Sequence, residues 1–155
     1  AGVGFVVAMI TGIAGPLVQV TGALSPIQAL DTPWISGTGA VLAVAGIVAT
    51  LYGQRDMGAS WRIGVDSSES TTLVRRGAFA YVRNPIFAAM LIFAAGITLM
   101  APNPLALIAF WVLLATIELQ VRVVEEPYLL RTHGDTYLGY LRTVGRFVPG
   151  IGRVG

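Results

Sequence analysis

The chain has 155 residues, of which 55% are hydrophobic and only 12% charged, with a mean hydropathy of +0.74; this is a membrane-protein composition, with room for one domain over 1–155 and no second of ordinary size. The absence of cysteine excludes disulfides, thiolate nucleophiles and cysteine-bound zinc, and the lone His133 cannot build a histidine metal cluster, so no metal is expected. All ten cations are arginines and none lies in 1–54 or 84–121, a distribution that reports membrane topology rather than a nucleic-acid footprint.

Residues 1–24 hold no charge, and as a helix they reach about 36 Å, enough to cross a hydrocarbon core of about 30 Å. This is the first expected span. No basic region precedes it and it is too long for a signal-peptide core; the chain does not open on Met, so residues upstream are expected. Gly4, Ala8 and Gly12 recur at helical spacing and offer a flat packing face, and Pro16 predicts a kink. Residues 25–34 hold Pro26, Asp31 and Pro33 without a cation, which suits a short non-cytoplasmic turn with Trp34 at the interface. A second span is expected over about 35–53, with small residues at Gly46 and Thr50.

Between Gln54 and Arg83 the arginines cluster, so the positive-inside rule makes this segment cytoplasmic and places both termini inside. Trp61 is expected as an interfacial anchor, Thr71–Val74 as extended, and Gly77–Val82 as a short turn or helix. Asn84-Pro85 opens a third span over about 85–101, with Pro85 at a first helical position where its missing N–H costs nothing. Ala101–Pro104 is a tight reversal, and a fourth span runs over about 105–124, forming a helical hairpin. The fold class is thus an all-α polytopic membrane protein with four transmembrane helices. Its cytoplasmic segment is formed by the 54–84 loop and the C-terminal helices.

The fourth span ends in charge. At about 100° per residue Glu118, Arg122 and Glu125 share one narrow helix face with Glu126 beside it. Ionisable groups at that depth point to function, although the same spacing also makes helix ion pairs. Pro127 predicts a break or redirection, Tyr128–His133 a helical stretch ended by Gly134, and Asp135 the cap of an amphipathic helix to Thr143 with Tyr137, Leu138 and Leu141 on one side.

Gly77-Ala-Phe79 followed by Arg83-Asn84-Pro85-Ile-Phe87, and after the hairpin Glu125-Glu126, Leu129, Gly134, Tyr137, Tyr140, Arg146 and Pro149, form an ordered set. In this set the chain resembles the isoprenylcysteine carboxyl methyltransferase and phospholipid methyltransferase superfamily of integral-membrane enzymes. Asn84 stands where that family has His, and Phe87 where it has Tyr. The resemblance implies a cytoplasmic S-adenosylmethionine site closed by the C-terminal segment, and a lipid-facing entrance for a small lipophilic acceptor, an isoprenylcysteine-like carboxylate or a membrane lipid. It implies Glu125 or Glu126 against the cofactor ammonium or ribose, and Arg83 or Arg122 against a cofactor or acceptor carboxylate. Phe87, Tyr137 and Tyr140 pack the adenine or face the sulfonium in that reading, although interfacial anchoring explains aromatics equally well. The expected catalytic residues are Arg83, Arg122 and Glu118, and the expected cofactor residues Asn84, Phe87, Glu125, Glu126, Tyr137 and Tyr140. An NADPH-dependent reductase of the sterol-reductase type and a non-enzymatic membrane scaffold are the two rival readings.

Overall fold

The computed structural model describes residues 2–58 and 72–155; Trp61, Thr71 and the middle of the 54–84 segment lie outside the described residues. Five helices follow in order: α1 (Gly2–Val20), α2 (Pro33–Met57), α3 (Pro85–Met100), α4 (Pro104–Leu119) and α5 (Glu126–Thr143). A 3-10 turn at Gly77–Ala80 precedes α3, and a π-helical turn at Gln120–Glu125 joins α4 to α5. Among the described residues the only β pairing is one isolated bridge between Val82 and Gly145.

The stretches Gly2–Val20, Pro33–Met57 and Pro104–Thr143 are long and apolar enough to cross a membrane. Helix α3 is apolar but only 16 residues long, about 24 Å. Large apolar side chains such as Val3, Ile10, Val41 and Leu51 are exposed, as lipid-facing helices require.

The chain forms two compact units. The first joins the residues up to Val48 with Ala89–Glu118. Its interior is built from small residues: Ala8, Ala43, Ala89, Ala106 and Ala109 are buried. Without bulky side chains between them the backbones approach closely, so packing rather than hydrophobic collapse holds these helices together. At Gly46 an added Cβ would lie 2.6 Å from the Phe93 amide nitrogen, and at Gly96 it would lie 2.6 Å from the Gly39 carbonyl oxygen. The α1 face differs from expectation in one residue: Gly4 and Ala8 pack inward, but Gly12 faces open space. Asn103, fully buried, caps α4 by accepting the Ala106 amide at 2.9 Å. Its amide group also donates to Gly15 O at 3.0 Å and to Gln19 Oε1 at 2.9 Å, so one residue closes the hairpin and ties it to α1.

The second unit joins Ala49–Ala88 with Leu119–Gly155. Its core is Tyr137, Tyr140 and Leu141, flanked by Leu73, Leu129, Leu138 and Val144, which includes the three residues expected on one side of the last helix. Pro127 does not break the chain. A proline ring collides with the carbonyl four residues back and offers no N–H, and the π turn relieves both by shifting the ladder, with Glu126 N–H bonded to Val121 O. The departure from helical geometry falls at Gly134, at φ 50° and ψ −129°, where the sequence places the end of a helical stretch.

Gly96→Ala should lower the thermal midpoint in detergent, because backbone atoms cannot retreat from the new methyl and overpacking costs about 1–3 kcal/mol. Gly12→Ala, entering open space, should leave it unchanged or raise it.

Candidate active site

Arg83 leaves the turn before α3 and enters the second unit, where its side chain is 1% exposed. Nη1 donates to the carbonyls of Leu141 at 3.0 Å and Val144 at 2.7 Å, and Nη2 donates to Glu126 Oε1 at 2.9 Å and Gly152 O at 3.0 Å. Four of its five N–H donors are therefore committed to the protein, and only the buried Nε lacks a partner. Arg146 approaches the same carboxylate as a fork, Nε to Oε1 at 2.8 Å and Nη2 to Oε2 at 3.0 Å. Glu126 thus sits between two guanidinium groups. Burial works against its charge, but the hydrogen bonds from Arg146 and Arg83 outweigh that and hold its carboxyl below the usual range.

The main chain is joined at the same place. Arg83 N–H donates to Gly145 O at 2.8 Å, and the Asn84 backbone and side-chain amides both donate to Arg146 O, at 3.1 and 3.2 Å. Gly145 is glycine for a local reason, since a Cβ there would lie 2.8 Å from both Gly150 N and Ile151 O.

Of the expected site residues, all but Glu118 belong to this one unit: Arg83, Asn84, Phe87, Arg122, Glu125, Glu126, Tyr137 and Tyr140. Both tyrosines are buried, with ring centroids 6.1 Å apart. Tyr140 donates its hydroxyl to Phe79 O, and burial pushes its phenol up to about 12, so it stays a neutral donor. Glu125 turns instead toward Gln120, whose amide donates to it at 3.4 Å. Phe87 is half-buried in the first turn of α3.

A π turn at Gln120–Glu125 lies across the stretch that carries Glu118, Arg122 and Glu125. The π turn begins between Glu118 and Arg122, so α-helical spacing no longer applies; Arg122 is exposed while Glu118 and Glu125 are half-buried. Arg83 also departs from its expected role, because a guanidinium with both terminal nitrogens engaged cannot clamp a ligand carboxylate through them. Arg146 belongs to the ordered motif set without an expected role, because an arginine 20 residues beyond a glutamate carries no local signal of pairing.

The model of the phospholipid methyltransferase family matches residues 34–136. Two Arabidopsis thaliana proteins, protein-S-isoprenylcysteine O-methyltransferases A and B, are similar at 28% and 29% identity over 118 residues, 75% of this chain and 60% of each of theirs. A solved structure of a eukaryotic intramembrane Ras methyltransferase, isoprenylcysteine carboxyl methyltransferase, matches with a TM-score of 0.74 at 22% identity, covering 97% of this chain and 54% of that one. The fold is therefore shared, and the chain spans little more than half the length of these relatives.

The charge cluster sets two expectations for thermal unfolding. Glu126→Gln should cost about 1.5–3 kcal/mol, because two charged donors lose an ionised acceptor, and Arg83→Lys should cost at least as much, since one ammonium cannot reach acceptors at Leu141, Val144, Gly152 and Glu126. Since the Glu126 carboxyl is lowered from 4.5 on folding, its contribution is full above the unfolded value and drains away as pH falls through the lower folded one. Glu126→Gln should flatten that acid limb.

Proposed function

Since the chain belongs to the phospholipid methyltransferase family of integral-membrane methyltransferases, we propose that it transfers a methyl group from S-adenosylmethionine to a small lipophilic acceptor. The names of the relatives favour an isoprenylcysteine-like carboxylate, and the family model adds a membrane lipid as the second candidate. The observation that carries the reading is the Arg83–Glu126–Arg146 cluster, which joins the family's two separated motif blocks into one buried polar site.

The donor set fits the cofactor in kind. A methionine moiety presents an ammonium and a carboxylate. Glu125 keeps acceptor capacity beyond its long bond from Gln120, and Arg83 keeps one buried donor at Nε. When bound, the cofactor supplies an electrophilic methyl carbon on a sulfonium, and displacement at that carbon needs alignment and exclusion of water more than a dedicated acid or base. Glu125 holds the ammonium in this reading, and Glu126 fixes Arg83 and Arg146 rather than binding ligand. The Tyr137 and Tyr140 rings exclude water and offer π faces toward positive charge. Asn84 and Phe87 shape the mouth of α3, and Arg122 is an exposed cation of the same unit.

In this proposal four helices span the membrane, the site faces the cytoplasm, and both termini lie there. The confinement of the arginines to 55–83 and 122–153 supports it. With no native cysteine to mask, Ser25→Cys should react with an impermeant maleimide on intact cells, and Thr136→Cys only after permeabilisation. The reverse pattern would overturn the topology.

S-adenosylhomocysteine at 100 times Kd should stabilise the purified protein by about 2.7 kcal/mol and so raise its thermal midpoint, and NADPH should not. Glu125→Gln should weaken that stabilisation. A response to NADPH instead would favour a reductase, and a response to neither a scaffold.

A further inference from the structure

Asp56 is the only acidic residue of α2 and stands in its last turn, where the negative end of the helix dipole opposes a carboxylate. Its own helix therefore gives no reason for the charge. The reason lies in the 3-10 turn: Asp56 Oδ2 accepts the Ala78 amide at 2.8 Å. Gly77 stands at φ 59°, and a Cβ there would meet the Asp56 carboxylate, 2.8 Å from Oδ1. Glycine is thus required twice, for its backbone conformation and for the approach of the carboxylate. The next residue, Phe79, is buried and offers its carbonyl to the Tyr140 hydroxyl.

We propose that Asp56 is a positioning residue for the cofactor site, holding the Gly77–Ala80 turn so that the Phe79 carbonyl fixes the Tyr140 ring. The path runs from the end of α2 through one carboxylate, one turn and one hydroxyl into the core of α5, all within the second unit. The inference rests on the reading that Tyr140 belongs to the cofactor site. It requires an acceptor oxygen at position 56 and does not require the charge.

The test is a double-mutant cycle on the full chain in detergent, with the Kd of S-adenosylhomocysteine as the readout. Asp56→Ala should weaken binding about tenfold, the upper end of the loss expected when an ordinary hydrogen bond is removed. Asp56→Asn, which keeps an acceptor, should stay within about threefold of wild type. In a Tyr140→Phe background, Asp56→Ala should add almost nothing, because the hydroxyl through which it acts is already gone. Additive effects of Asp56→Ala and Tyr140→Phe, or an Asp56→Asn as damaging as Asp56→Ala, would overturn the proposal while leaving the methyltransferase reading intact. A wild-type chain that binds no S-adenosylhomocysteine would overturn both. If Asp56→Ala does not purify folded, Asp56→Asn decides alone: binding within about threefold of wild type supports the proposal, and a loss of about tenfold or more overturns it.

Discussion

The Arg83 side chain is almost wholly withdrawn from water, and a guanidinium cannot shed its proton to relieve the cost. Acceptors must therefore be brought to it, and most of the second unit is arranged to do so. The end of α5 supplies Leu141 and Val144, the segment beyond it supplies Gly152, and the start of α5 supplies Glu126. Glu126 in turn needs Arg146, since a partly buried carboxylate between two cations is balanced only when its lone pairs are used.

The helices were legible from charge and hydropathy alone, because an uncharged run of about 20 residues has few alternatives. Pro85 marked a helix start and Ala101–Pro104 a reversal, both by chemistry that operates within four residues. The site was legible only in part. Its polar residues could be chosen from their order, but their partners could not, since Arg83 reaches Gly152 across 69 residues and Glu126 reaches Arg146 across 20. The π turn was invisible for a related reason: Pro127 announced a conflict with helical geometry, and the sequence holds no signal saying whether a break or a widened turn resolves it.

Asn84 shows how one substitution changes what a position is for. A backbone amide and a side-chain amide converge on the one Arg146 carbonyl, which ties the mouth of α3 to the residue that steadies Glu126. An imidazole at this point offers a single ring N–H in its neutral form and a different reach. The asparagine thus serves the scaffold of the charge cluster.

The tail beyond α5 is held chiefly through its main chain. Arg83 grips the Gly152 carbonyl, Arg146 N–H bonds to Ile151 O, and Val154 N–H returns to Leu141 O, while the side chains of Val148, Ile151 and Val154 stay exposed. Attachment by peptide groups is indifferent to side-chain identity but strict about chain length and about the presence of each N–H. Drift at the exposed Val148, Ile151 and Val154 is therefore compatible with an unchanged cluster, whereas a one-residue deletion, a proline at 154, or a side chain at Gly150 or Gly152, which stand at φ 79° and 78°, is not. Homologues of this chain should accordingly vary at those three positions while keeping the spacing of the tail.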